Sequence, residues 1–141
     1  MKKASIVLTV IIMLLTSCSI IPIDTSRTVT SLEFIWVPNS NLRASSIAIT
    51  TDDEGTISIF LDVVKDSKMI RDTEILFLNL IEGDFYFKIY YGENTEVLKV
   101  FGNGTYIYNE TSGKYYVNNS INYYIQQTLY TYYIKNGIRL E

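Results

Sequence analysis

The sequence predicts an α+β domain: an antiparallel β-meander sheet with two amphipathic helices packed on one face. Three observations predict it. Between residues 85 and 117, four short runs rich in Tyr, Phe, Val and Ile are separated by tight-turn signals. Ile57, Phe60, Leu61 and Val64 recur at i, i+3, i+4 and i+7, the spacing of one helix face. Ile121, Tyr124, Ile125, Leu129 and Tyr132, with Thr128 on the same side, make a second such stripe. A sheet with one apolar face needs stripes of this kind to bury it. Of the 141 residues 48% are hydrophobic and 19% charged, a balance that excludes general disorder. The expected division is a leader over 1–17, a tether over 18–30 and one domain over 31–141.

In chain order, Lys2-Lys3 and the apolar run Ala4 to Leu15 come first. The run is shorter than the ~20 residues a spanning helix needs, and it has the layout of a secretory leader. An N-terminal anchor that is never cut is the alternative. Residues 19–30 show no sustained period, and Pro22 forbids a helix interior. Extended chain is expected there, with Ile20, Ile21 and Ile23 lying in a lipid interface or docking on the domain as an edge strand.

Leu32 to Val37 reads as a strand stopped by Pro38-Asn39-Ser40-Asn41, and Ser46 to Thr50 as a second. Trp36 is expected in the core. A helix near 53–66 follows, with Asp52 or Asp53 as N-cap and acids at the positive end of its dipole. Thr73 to Leu80 is compatible with a buried strand or a helix. The meander strands are Phe85–Tyr91, Glu96–Phe101, Thr105–Tyr108 and Lys114–Val117, with turns at Gly92-Glu93-Asn94, Gly102-Asn103-Gly104 and 109–113. Lys88, Lys99 and Lys114 are expected on the wet face. Ser120 or Asn119 is expected to cap a helix near 120–136, stopped by Asn136-Gly137.

Composition excludes several chemistries. With no histidine and one cysteine, Ser-His-Asp, Cys-His and His/Cys metal sites all lack a member, so neither metal nor catalytic residue is expected. Without Lys2 and Lys3 the 12 basic residues fall to 10 against 15 acidic, a net charge of −5 that disfavours nucleic-acid partners. Asp52, Asp53, Glu82 and Asp84 are the clustered carboxylates. Helix capping and turns account for them. The alternative is a pair of acids ~5–9.5 Å apart in a glycan hydrolase. The tyrosine excess offers a possible binding surface at Tyr123, Tyr130 and Tyr133, since Tyr gives rigid amphipathic area. The sequons at Asn103, Asn109 and Asn118 fall where turns and a helix start want Asn in any case.

Leu15-Thr16-Ser17-Cys18 resembles the lipobox of bacterial lipoproteins. The resemblance covers residues 1–18 and implies diacylglycerol on the Cys18 sulfur, cleavage just before it, and no other cofactor. Two acyl chains hold stably where one holds weakly. It further implies the extracytoplasmic face of a bacterial membrane. Ser19 is not the Asp that can retain lipoproteins in a Gram-negative inner membrane, so an outer membrane is open; the richness in Ile, Asn and Tyr suggests an AT-rich, Gram-positive source and a cell-membrane anchor. The segments Asn103 to Tyr108 and Gly113 to Val117 are loosely similar to small Gram-positive lipoproteins of unknown function. The expected role is a non-enzymatic binding module with an envelope protein or ligand as partner. The alternatives are the hydrolase and an accessory subunit of a transport or secretion complex. Cys18→Ala is expected to leave an uncleaved precursor that takes up no fatty-acid label; continued labelling in cells would disprove the anchor.

Overall fold

The computed structural model describes residues 21–38, 45–71, 84–101 and 104–137 of the chain. The leader, the lipobox residues Leu15 to Cys18, the run 73–80, Glu82 and the Gly102-Asn103 turn lie outside them. The described residues form β1 (Ser31–Val37), β2 (Ile47–Thr51), α1 (Glu54–Lys65), β3 (Lys68–Ile70), β4 (Asp84–Tyr91), β5 (Asn94–Phe101), β6 (Tyr106–Asn109), β7 (Lys114–Val117) and α2 (Ile121–Lys135). The strands make one seven-stranded sheet in the order β2-β1-β4-β5-β6-β7-β3, antiparallel at every pairing. The fold is α+β.

Alternation builds the core. Leu32, Phe34 and Trp36 of β1, Phe87 and Ile89 of β4, Leu98 and Val100 of β5, and Ile107 of β6 are buried, one residue in two along each strand. This period-2 burial marks a sheet with one core face. Phe60 of α1 and Tyr124 of α2 both reach the same inward residue, Phe87, with ring centroids 4.8 and 5.9 Å away. Phe34 lies 5.2 Å from Phe87 on its other side, so one aromatic cluster joins sheet and helices.

The tight turns follow from local chemistry. Gly92 holds φ +68° at the first of two residues joining β4 to β5, a geometry that short hairpins require. Gly104 has φ +77°, and a Cβ there would stand 2.8 Å from Asn122 Cβ and 2.9 Å from its Cα. Glycine is therefore needed at 104 for both conformation and space. Asp53 caps α1 as expected: its carboxylate accepts from the Thr56 amide at 2.7 Å and from the Thr56 hydroxyl at 2.8 Å.

Two expectations are corrected, the cap of α2 and the face of Lys114, and two further features join them. Neither Ser120 nor Asn119 caps α2 through its side chain. The buried Asn118 does so, its Oδ1 accepting from the amides of Ser120 (2.8 Å) and Ile121 (3.0 Å). Its Nδ2 donates to the Val63 carbonyl at the end of α1 (2.7 Å) and to Ser67 Oγ (2.8 Å). Within the segment 18–30 expected as tether, residues 21–24 and the Val29-Thr30 end dock on the domain, while residues 25–28 are exposed. Ile23 is 3% exposed, Asn109 Nδ2 donates to the Pro22 carbonyl, and the Thr30 amide donates to the Tyr90 carbonyl at 2.8 Å. Burial of its isoleucines outweighs solvation of its threonines, and the segment docks without forming the edge strand considered for it. Lys114 stands opposite Asn109, which is 2% exposed and of core parity, so Lys114 does not share a face with Lys88 and Lys99. Finally, Lys68–Ile70 pairs with β7 as an unforeseen edge strand, three residues being too few to show a period.

Asn109 and Asn118 are each 2% exposed with their amides engaged, so neither is open to glycan attachment. Replacing Asn118 with Ala leaves two helix-start amides without their acceptor and strips the Val63 carbonyl of one of its two donors, the Asp66 amide being the other. A loss of about 2–3 kcal/mol is expected in urea unfolding. A change within 0.5 kcal/mol of wild type would show that Asn118 does not join the helices.

Candidate functional site

The face opposite the core carries a set of polar-tipped aromatics. One row of directly opposed residues crosses the whole sheet: Ala48, Ile35, Tyr86, Lys99, Tyr108, Tyr115 and Ile70. Beside it, Phe101 opposes Tyr106, which opposes Val117. From Ile35 to Ile70 the row is half-buried, so these side chains pack on one another and still meet solvent.

The rings are in contact. Tyr108 and Tyr115 have centroids 4.7 Å apart with planes tilted by 32°. Phe101 stacks on Tyr106 at 5.6 Å and meets Tyr115 edge-on at 6.3 Å. Such cross-strand pairs stiffen the surface they form. Lys99 stands beside the rings, its Nζ 5.5 Å from the Tyr86 centroid and 3.2 Å from Asp84 Oδ2. The Tyr86 hydroxyl donates to the same Asp84 oxygen at 3.3 Å. Burial acts to lower the Lys99 pKa, but the hydrogen bond and charge of Asp84 outweigh it, so the ammonium is held above its ordinary value. Toward the other end of β4, Lys88 pairs with Glu33 at 3.2 Å, and the Tyr90 hydroxyl donates to Glu33 at 2.9 Å. That hydrogen bond, with burial and the carboxylate charge, raises the Tyr90 pKa. The phenol therefore stays a donor at neutral pH.

The arrangement suits binding: flat apolar rings on a rigid sheet, edged by hydroxyls, an ammonium and a carboxylate. Among the described residues no group of three or more His, Cys, Asp or Glu is placed to hold a metal ion. No described helix is long and apolar enough to cross a membrane.

The site residues expected from sequence are dispersed. Cys18 and the lipobox lie outside the described residues. Tyr123 and Tyr130 project from α2 and are 68% and 52% exposed. Tyr133 turns the other way, half-buried against the core with its ring 6.0 Å from Tyr132. The three do not form one surface. Asp52 is exposed, Asp53 caps α1, Asp84 pairs with Lys99, and Glu82 lies outside the described residues. The sheet-face cluster was not anticipated, although its signal was present: Tyr86, Lys88 and Tyr90 alternate, as do Lys99 with Phe101 and Tyr106 with Tyr108. What the alternation lacked was the register that opposes Tyr86 to Lys99 and Tyr108 to Tyr115.

Comparison with protein-family models, with curated proteins and with solved structures returned no match.

The capping role of Asp53 makes a pH prediction. The Thr56 amide bond, then the Thr56 hydroxyl bond, lowers the Asp53 pKa. A depressed folded-state pKa contributes stability that is complete above the unfolded value and is lost as pH falls through the folded one. Wild type is therefore expected to be more stable than Asp53→Asn at pH 7, with the gap closing below about pH 4. Urea melts at pH 7 and pH 2.5 check this; a gap that persists at the lower pH would assign it to something other than the carboxylate charge.

Proposed function

We propose that the chain is a bacterial lipoprotein, anchored through diacylglycerol on Cys18 at the extracytoplasmic face of the membrane, and that its sheet face is a non-enzymatic binding surface for an envelope glycan. The observation that carries this reading is the row Tyr86, Lys99, Tyr108 and Tyr115, with the Phe101 and Tyr106 rings beside it. Sugar rings present flat apolar faces bordered by hydroxyls. Paired tyrosines supply the complementary faces at low entropic cost. Lys99 and Asp84 offer a donor and an acceptor at the edge of the rings. The lipobox resemblance supports the address, and a surface built for stacking needs no nucleophile, metal or acid pair. The hydrolase alternative draws no support from Asp53 or Asp84, each of which already has a structural task.

Co-sedimentation of the full chain in detergent with insoluble cell-wall sacculi tests the proposal. Wild type is expected to pellet with the sacculi. Tyr108→Ala with Tyr115→Ala is expected to bind roughly tenfold or more weakly, since each aromatic contact contributes about 0.5–1.5 kcal/mol. Circular dichroism and a urea melt verify that the double variant is folded. Absence of wild-type binding, or equal binding by the folded double variant, would reject the sheet face as a glycan site. Capture of a protein by cross-linking in cells, lost in the same variant, would replace the glycan with a protein partner.

A further inference from the structure

A second site lies away from the aromatic row, where residues 21–24 dock on the domain. A cavity of about 170 Å³ opens there. Pro22, Ile23 and Tyr116 contribute apolar wall, and Asp24, Glu96 and Lys114 also line it. The Asp24 carboxylate is already compensated, with Oδ2 3.0 Å from Arg27 Nε and Oδ1 accepting from the Ser26 amide and hydroxyl. The polar groups differ in what they have left to offer. Asn109 is fully used: it donates to the Pro22 carbonyl and accepts from the amides of Thr111 and Ser112, each at 2.8 Å. Glu96 Oε2 accepts from the Tyr91 hydroxyl at 2.6 Å and the Asp24 amide at 3.1 Å. Burial first, and then the Glu96 bond, push the Tyr91 pKa well above the ordinary phenol range, so this donor is permanent. Both bonds go to one oxygen, and among the described residues Oε1 makes no hydrogen bond. Lys114 makes no ion pair or side-chain hydrogen bond among the described residues. It does not approach Glu96 within 4.0 Å.

Opposite charges thus line one small cavity without touching. An anion alone would leave Glu96 uncompensated, and a cation alone would leave Lys114 so; a molecule carrying both charges satisfies each. The volume is close to that of a cavity that takes benzene, so it suits roughly six to ten non-hydrogen atoms. We propose that this cavity binds a small zwitterion of the α-amino-acid class, its carboxylate on Lys114, its ammonium on Glu96 and its side chain against Pro22, Ile23 and Tyr116. The site depends neither on the sheet face nor on the lipid anchor.

Isothermal titration calorimetry of the full chain in detergent tests it, with glycine, L-alanine and D-alanine as probes and acetate and methylamine as single-charge controls. At least one amino acid is expected to bind saturably at one site, with both controls roughly tenfold or more weaker. Lys114→Met and Glu96→Gln are each expected to weaken binding by roughly tenfold or more. The Gln carbonyl can still accept from Tyr91 and Asp24, so this variant retains the fold while losing the charge. Should Lys114→Met fail to fold, the wild-type comparison with the two controls decides on its own. No saturable heat from any amino acid up to about 10 mM, equal binding of acetate, or affinity unchanged in Glu96→Gln would overturn the proposal.

Discussion

The two helices and the last sheet strand meet at one buried carboxamide, that of Asn118. An α-helix leaves carbonyls unpaired at its end and amides unpaired at its start. In this fold the end of α1 and the start of α2 adjoin the residue that follows β7. Asn118 is one of the few side chain types that can serve both, because it carries a donor pair and an acceptor. Val63 and Ser67 take its amine side, and Ser120 and Ile121 take its carbonyl side. Aspartate would have no proton to give Val63, and serine would be too short to span the gap. The Phe60, Phe87 and Tyr124 rings then pack around a geometry that this amide has fixed. Buried polar groups that are fully satisfied specify one arrangement of a core more sharply than apolar contacts alone.

Asn109 plays a parallel part at the far end of β6. Its Oδ1 organises the loop into β7 and its Nδ2 holds the Pro22 carbonyl. The chain has no disulfide among its resources, with a single cysteine in 141 residues. Two buried asparagines do what cross-links do in many exported domains of this size: they join segments distant in sequence, here across 87 and 55 positions.

The parts of the fold that sequence reveals are those with a local cause. The meander is visible because Tyr, Phe and Val alternate and Gly92 stands at a hairpin loop. Helix α1 is visible because Ile57, Phe60 and Val64 share a face behind Asp53. What depends on contacts between remote segments is not visible. The placement of β1 between β2 and β4 is one case, and the addition of Lys68–Ile70 to the outer edge is another. Lys114 shows how narrow the margin is: a lysine in a strand reads as a wet-face residue until Asn109 opposite it proves to point inward. The candidate binding face divides the same way. Its residue types were plain, while the register that gathers them was not. The tyrosines of α2 are the more legible in sequence because helical spacing needs no partner strand to interpret.

The docked segment from Ile21 to Thr30 also sets how the domain would be carried on the proposed anchor. A free leash of about a dozen residues would let it roam some ~40 Å from the bilayer. With that segment held by Asn109, Glu96 and Tyr90, the distance a chain can span from Cys18 to Ile21 is at most about 10 Å. The domain would then ride close against the head groups with restricted tilt, searching a thin layer in two dimensions. Its orientation toward the wall or a neighbour would be set by where the Pro22 edge lies on its surface, so that the same ligand at equal concentration would meet one side of the molecule far more often than another.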